Sequence, residues 1–260
     1  MLRVTIISVL LLSGVATVNA FFSSAWNFKN ERIFGKVKKV ETVVESDLQK
    51  YVEYYNEKGQ KTRIEDYSGK GSKLRSTYTM EYNKDGDLFR VSNFRREAKK
   101  LTTVETAEYA SKGVIKRIIF KAIEGKKEMT FKAEPFEYDE KKRLKSIKMK
   151  AKGELGVFNY KFDDKGNCTE SIKVFGEKRR IEIKYGKYHN GVPQTTESHS
   201  RGKKSTSSVF KYKFDKAGNW IDKASEMTFY RKDKDGKPKT STRTIKYKRT
   251  ITYYPEEKLN

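Results

Sequence analysis

An aromatic residue, three turn-forming residues and a glycine recur along this chain. The pattern is Tyr55-Asn56-Glu57-Lys58-Gly59, then Tyr82 to Gly86, Tyr109 to Gly113, Phe162 to Gly166 and Phe214 to Gly218. Tyr138 to Lys142 keeps the ring without the glycine, and Tyr188 to Gly191 is one residue short. Asp233-Lys234-Asp235-Gly236 keeps the turn but has Lys232 where the ring should be. Positions 59, 86, 113, 142, 166, 191 and 218 follow one another at 24 to 29 residues, and 236 follows at 18. Even spacing of this kind is the mark of a repeat architecture. A unit of about 26 residues holds two strands and two connections.

The stretch Phe210 to Ile221 shows what one unit encodes. Phe210, Tyr212 and Phe214 alternate with Lys211 and Lys213, which in a strand puts rings on one face and ammoniums on the other. Asp215 opens a turn and Gly218 supplies the positive φ a tight hairpin needs. Asn219, Trp220 and Ile221 begin the return strand. Two residues after the glycine position stand Leu88, Ile115, Leu144, Cys168 and Trp220; five after it stand Ile64, Val91, Ile118 and Ile147. These slots have opposite parity, so a bulge just after the turn is expected to bring both to one face. Gly59, Gly86, Gly113, Gly166, Gly218, Asp163, Asp215 and Trp220 are thus read as structural repeat residues. The fold class expected is all-β: an antiparallel meander of repeated β-hairpins forming a curled sheet, half-barrel or spiral.

Residues 1–20 read as a secretory signal peptide, with Arg3, an apolar run from Val4 to Leu12 and small residues at Val18-Asn19-Ala20. Residues 21–260 then form one β-hairpin repeat domain. Gly35 to Val44 reads as the first strand and Thr240 to Tyr254 as the last. Leu101 to Ala110 suits a helix or a strand. Gly191 to Ser208, rich in Ser and Thr, reads as a long exposed hairpin tip or loop. The single cysteine, Cys168, permits no intrachain disulfide; its slot in the repeat makes it a small buried hydrophobe.

The unit Tyr/Phe-Asp-x-x-Gly-Asn, as in Phe162-Asp-Asp-Lys-Gly-Asn167 and Phe214-Asp-Lys-Ala-Gly-Asn-Trp220, resembles the YD or RHS-type repeats of bacterial exported and cell-surface proteins. The short, lysine-rich, signal-bearing kind of Bacteroidetes-like secreted proteins is most similar. The resemblance spans most of residues 36 to 254 and implies antiparallel strands winding into an extended or curled sheet. Large RHS members wrap a toxin inside a spiral shell. This chain has few repeats and no toxin after its last strand, so the resemblance carries architecture and not that function.

Charge bears on partners. The chain has 58 Lys and Arg against 34 Asp and Glu, a net +24. Removing residues 1–20 takes away one positive charge, Arg3, and leaves +23. Such a field attracts polyanions: an anionic glycan, lipopolysaccharide, anionic lipid or extracellular nucleic acid. Arg179, Arg180, Arg201, Lys203 and Lys204 are the candidate contacts. Catalytic chemistry has no motif to stand on. The two histidines, His189 and His199, lack spaced partners. Asp233 and Asp235 are partway to a calcium loop, but Arg231 and Thr242 stand where its first and twelfth ligands belong. Positions between rings are mostly Lys, Glu, Thr and Asn, which disfavours an outer-membrane barrel. The expectation is an exported, non-catalytic protein of the periplasm, cell surface or extracellular space, with no cofactor, no metal and no membrane span once the leader is removed. It acts as a scaffold or binding module for an anionic partner, or alternatively as a carrier of lipid or lipopolysaccharide on a ring-lined concave face. A degraded relative of a toxin-delivery system is a third reading. A scaffold buries its rings against the protein; a carrier lines a cavity with them.

Overall fold

The structure, a computed structural model, describes residues 33–45, 49–68, 73–96, 100–124, 127–151, 154–176 and 179–255. The expected leader and the ends of the chain lie outside them. Sixteen strands run through the described residues: β1 Val37–Val44, β2 Gln49–Tyr55, β3 Lys61–Ser68, β4 Lys73–Tyr82, β5 Leu88–Arg95, β6 Lys100–Ser111, β7 Val114–Glu124, β8 Lys127–Tyr138, β9 Leu144–Ala151, β10 Glu154–Phe162, β11 Cys168–Phe175, β12 Arg179–His189, β13 Val192–Ser200, β14 Lys203–Phe214, β15 Trp220–Lys232 and β16 Pro238–Tyr253. Each pairs antiparallel with its sequence neighbours, and β1 pairs with β16 to close a barrel.

Closure corrects the expected curled sheet, half-barrel or spiral. An open meander would leave two rows of unpaired backbone groups, and the seam removes both. It runs from Val44 opposite Tyr247 to Val37 opposite Tyr253. Beyond the ladder, the Tyr254 amide donates to the Lys36 carbonyl at 2.8 Å. The Asn219 side chain, itself buried, accepts from the Phe34 amide at 2.7 Å and donates to the Phe34 carbonyl at 2.8 Å.

Seven turns, at Gly59, Gly86, Gly113, Lys142, Gly166, Gly191 and Gly218, share one rim with the start of β1 and the end of β16. The turn at Gly236 joins β15 to β16 on the opposite rim. It is therefore no eighth member of the series, which accounts for its early arrival and missing ring. The expected bulges are present. Tyr54 faces Arg63 but Tyr55 faces Lys61, and the same one-residue shift follows the turns at 86, 113, 142, 166 and 218. Ile115 and Ile118 are accordingly both buried, as are Leu144 and Ile147. The turn carboxylates and amides fold back on the loop: Asp215 accepts from the amides of Ala217 and Asn219, and Asn83 from those of Asp85 and Asp87. Lys142 occupies the glycine position with φ 57°, a left-handed backbone that a side chain disfavours.

The marker ring has a further role. The hydroxyl of Tyr82 donates to the Lys61 carbonyl at 2.7 Å, Tyr109 to Leu88 at 2.6 Å, Tyr138 to Ile115 at 3.1 Å and Tyr188 to Cys168 at 2.6 Å. Each acceptor lies two residues beyond the preceding turn position, so every hydroxyl reaches back by one repeat. Where the marker is Phe214, Tyr212 makes the equivalent bond to Pro193 at 3.0 Å. Across the seam, Tyr254 donates to the Tyr55 carbonyl at 2.8 Å. Turn-to-turn clasps run beside them: Gln60 to the Gly86 carbonyl, the Gly113 amide to Asp87, and Arg143 to the Asp163 carbonyl.

Alternate residues face inward. One inward row passes Ala107, Ile118, Ala133, Met149, Gly156 and Phe175 across β6 to β11, and all six are buried. At Gly156 a β-carbon would stand 3.4 Å from the Phe175 ring, so the ring takes the space a side chain would need. The outer face carries cross-strand ion pairs such as Arg117–Glu108 at 2.7 Å and Lys121–Glu128 at 3.1 Å. Each contributes little to stability. Together they place charge where a membrane barrel carries its aliphatic band. Leu101 to Ala110 is strand, within β6. Gly191 to Ser208 is not an exposed loop: it forms β13 and the start of β14, joined by a tight turn at Arg201-Gly202.

Replacing Lys142 by Gly is expected to raise the free energy of unfolding by roughly 0.5–1 kcal/mol, read from the urea midpoint. Lys165→Gly, one residue before a turn glycine, is expected to lower it; a K142G midpoint equal to or below the parent contradicts the turn geometry. Burial pushes the Tyr82 hydroxyl from 10.0 up to about 12 and raises Tyr109 and Tyr188 as well. A raised folded-state pKa stabilises below the unfolded value and is lost as pH climbs through the folded one. Tyrosine ionisation followed by ultraviolet difference absorbance is therefore expected to lag above pH 10 and finish together with loss of the β-sheet circular dichroism. Full ionisation near pH 10 with the sheet intact would refute the inter-repeat bonds.

Candidate functional site

The inward face changes character after β11. Across β12 to β16 one row reads Tyr185, Thr196, Ser208, Met227 and Arg243, and the next reads Ile183, Ser198, Thr206 and Phe229. Small hydroxyl residues on β13 and β14 replace the Ile, Met and Phe of the other half. Rings remain on their flanks. The volume left is a chamber of about 490 Å³, lined by the rings of Tyr185, Tyr188, Phe210, Tyr212 and Tyr247 and by Thr196, Ser198, Thr206, Ser208 and Ser225. That size is typical of a small-molecule site, as is an apolar wall with a few polar groups.

Lys223 lies within this wall. It faces Tyr212 on β14 and Tyr247 on β16 directly across the ladder. Its ammonium stands 4.7 Å from the Phe210 ring centre, 5.0 Å from Tyr247, 5.8 Å from Tyr212 and 5.9 Å from Trp220. Ring faces attract a cation, and more strongly when water is excluded. Arg249 stacks on Trp220 at 3.5 Å and donates from Nε to the Thr42 hydroxyl at 3.1 Å. Burial raises the Tyr188 hydroxyl, which is already committed to the Cys168 carbonyl.

A second inward cluster lies on β2 to β5. Asp66 pairs across the ladder with Tyr51 and Ser76. Burial holds its carboxyl above the usual carboxylate range, while Arg75, a Ser76 hydrogen bond and Arg95 pull the other way. Burial, and after it Asp66, push Tyr51 up to about 12. Asp66 and Arg75 are half-buried and Arg95 is exposed, so the carboxylate lies at the edge of the interior near two guanidiniums.

The basic residues singled out from sequence come together on the rim opposite the repeat turns. The Arg201 amide donates to the Arg180 carbonyl at 3.0 Å, and Lys203 pairs across the hairpin with Ser200. Arg179 opens β12 opposite Phe175; its side chain lies outside the described residues. The cluster is less bare than its sequence suggests. Lys204 donates to Glu197 at 2.6 Å, and Arg180 lies 3.4 Å from Glu182. A second groove of about 510 Å³ on β14 to β16, sharing Tyr212, Lys223 and Tyr247 with the chamber, gathers Lys211, Lys213, Lys246 and Lys248 with Glu45 and Asp222. Asp163 and Asp215 serve their turns. Hydrogen bonds led by the Asn167 side chain hold Asp163 below the ordinary carboxylate range. Cys168 is 5% exposed and lies in the chamber wall; His189 ends β12 with its ring against Phe214 at 5.1 Å. The chamber itself was not read from sequence. Its signal is the run of Ser and Thr at alternate positions within strands flanked by rings.

No family model matches the sequence, and no curated protein matches it. Among solved structures, the chain is similar to a porin-like protein from Bacteroides uniformis ATCC 8492, with 14% identity, a TM-score of 0.54, and coverage of 85% of this chain and 98% of that one. A porin-like protein from Bacteroides vulgatus ATCC 8482 follows at 11% identity and TM-score 0.33, covering 84% of this chain and 98% of that one. The TcdB2-TccC3 complex is matched at 10% identity and TM-score 0.33, over 78% of this chain and 13% of that one. The first likeness shows a shared antiparallel barrel fold; the other two are too distant to bear on it.

The Cys168 thiol is expected to stay unreactive toward Ellman's reagent in the native protein and to react fully in denaturant. Rapid labelling under native conditions would contradict its placement.

Proposed function

We propose that this chain is an exported, non-catalytic β-barrel that holds a lipid-class ligand, apolar or amphipathic, in the chamber of β11 to β16. The observation that carries the reading is the chamber wall: five rings border a space of ligand size. Rings give an apolar body a large contact area, and the interspersed hydroxyls can meet a polar group. The inverted polarity of the barrel supports the same reading. Its ion-paired outer face suits water, and its interior suits acyl or aromatic groups. The positive exterior, +23 without the leader, favours approach to an anionic envelope surface. The lysine groove on β14 to β16 is the proposed contact for it, ahead of the partly neutralised cluster around Arg201, Lys203 and Lys204.

The test uses the fluorescent amphiphile N-phenyl-1-naphthylamine. Its emission is expected to rise and saturate at one dye per chain. Ser208→Trp and Thr196→Trp, which fill the chamber from adjacent strands, are each expected to weaken the dye by about tenfold or more with unchanged circular dichroism. Equal dye binding by the parent and by both variants would overturn the proposal.

A further inference from the structure

We infer that the outward side of β14 to β16 docks on an anionic, phosphate-bearing lipid surface, with Lys211 and Lys246 holding one head-group phosphate between them above Ala224. This rests on the reading of the lysine groove as the envelope contact and goes beyond it by naming the residues and the group they hold. It does not depend on what the chamber binds. Two outward rows cross the three strands. One reads Lys213, Asp222 and Lys248; the next reads Lys211, Ala224 and Lys246. The first row carries its own counter-ions: Asp222 stands between the two lysines, 3.9 Å from Lys213, and Glu45 takes Lys248 at 3.1 Å. The second row has a methyl group in the place of that central carboxylate. Lys211 and Lys246 are exposed, and among the described residues neither has an acidic side chain within ion-pair distance. That includes Glu226, which lies on the following row between Val209 and Thr244. The two acids of the groove are thus committed to the neighbouring row, and Lys223, which also borders it, lies against the rings of the inner side.

Adjacent strands lie about 4.8 Å apart, so Lys211 and Lys246 stand roughly 10 Å from each other across Ala224. A flexible four-carbon stem on each side lets both ammoniums close on one oxyanion over the small methyl. Charge-assisted bonds to phosphate are among the stronger hydrogen bonds. The occupant is a lipid surface rather than a free phosphate. The strand amides are spent in the ladder, so a lone phosphate would meet two hydrated point charges and no backbone cradle. A membrane offers many phosphates at once to a chain of net charge +24, and each lysine near such a surface adds its own attraction. Val209, 50% exposed, stands two residues from Lys211 on the same outward side and supplies an apolar contact at the level of the head groups.

Vesicle co-sedimentation tests the pair. The protein is expected to bind phosphatidylglycerol vesicles and to leave phosphatidylcholine vesicles unbound. Ala224→Asp gives the second row the counter-ion of the first. That variant, and the double variant Lys211→Gln with Lys246→Gln, are each expected to weaken phosphatidylglycerol binding about tenfold or more with unchanged circular dichroism. Lys58→Gln with Lys112→Gln removes the same charge from exposed repeat turns and is expected to bind as the parent does. Parent-like binding by A224D and by the K211Q/K246Q double variant, or an equal loss in K58Q/K112Q, would overturn the assignment to Lys211 and Lys246 and leave a contact made by charge in general. Release of the bound protein by inorganic phosphate, but not by chloride of equal ionic strength, would assign the pair to a free ion and overturn the lipid surface. Failure of the parent to prefer phosphatidylglycerol would overturn the envelope contact together with the pair.

Discussion

The hydrogen bonds from Tyr82, Tyr109, Tyr138 and Tyr188 to a carbonyl one repeat earlier fix how far each hairpin is offset from the last. Barrel closure depends on that offset, because strand number, tilt and stagger must agree before the first strand can meet the last. Within a hairpin, the turn and its bulge set the register. Between hairpins, the ladder alone could slip, and a slip of one residue would turn every inward side chain outward. The bonds from Tyr82, Tyr109, Tyr138 and Tyr188 pin the offset at four steps, Tyr212 at a fifth and Tyr254 across the seam. The tyrosine is thus selected twice, for a ring that fills the inward slot and for a hydroxyl that reaches its neighbour.

A barrel of sixteen strands encloses more space than its side chains fill by default; eight strands are about the size that fills completely. The chain treats the two halves of its interior differently. From β3 to β11 a continuous cluster of Ile, Val, Met and Phe packs inward. From β13 to β15 the corresponding positions hold Thr196, Ser198, Thr206, Ser208 and Ser225, and the chamber opens there. Packing is divided along the sheet: one half supplies buried area, the other leaves the chamber.

Much of the fold is legible in the repeat itself. The spacing of Gly59, Gly86, Gly113, Gly166 and Gly218 gives the hairpin period, and the opposite parity of the Ile115 and Ile118 slots gives the bulge. Closure is not legible, because it depends on Val37–Val44 meeting residues two hundred positions later, and no local pattern reports that pairing. The antiparallel winding agrees with the resemblance to YD-type repeats, while the closed seam departs from it. The stretch from Gly191 to Ser208 reads as a loop for a physical reason. Ser and Thr between Gly191 and Ser208 look like loop residues by polarity, yet on an inward strand face their small volume matters more. Charge patterning found the rim around Arg201 and Lys204 but could not show that Glu197 and Glu182 partly neutralise it. Lys223 looked like any other lysine until Tyr212 and Tyr247 were seen on either side of it.

The most direct measurement is native mass spectrometry of the protein, purified gently, before and after organic extraction. The account predicts one bound amphiphile per chain, removed by extraction and reduced in a Ser208→Trp variant. A mass equal to that of the bare chain, unchanged by extraction and by added lipid, would contradict it.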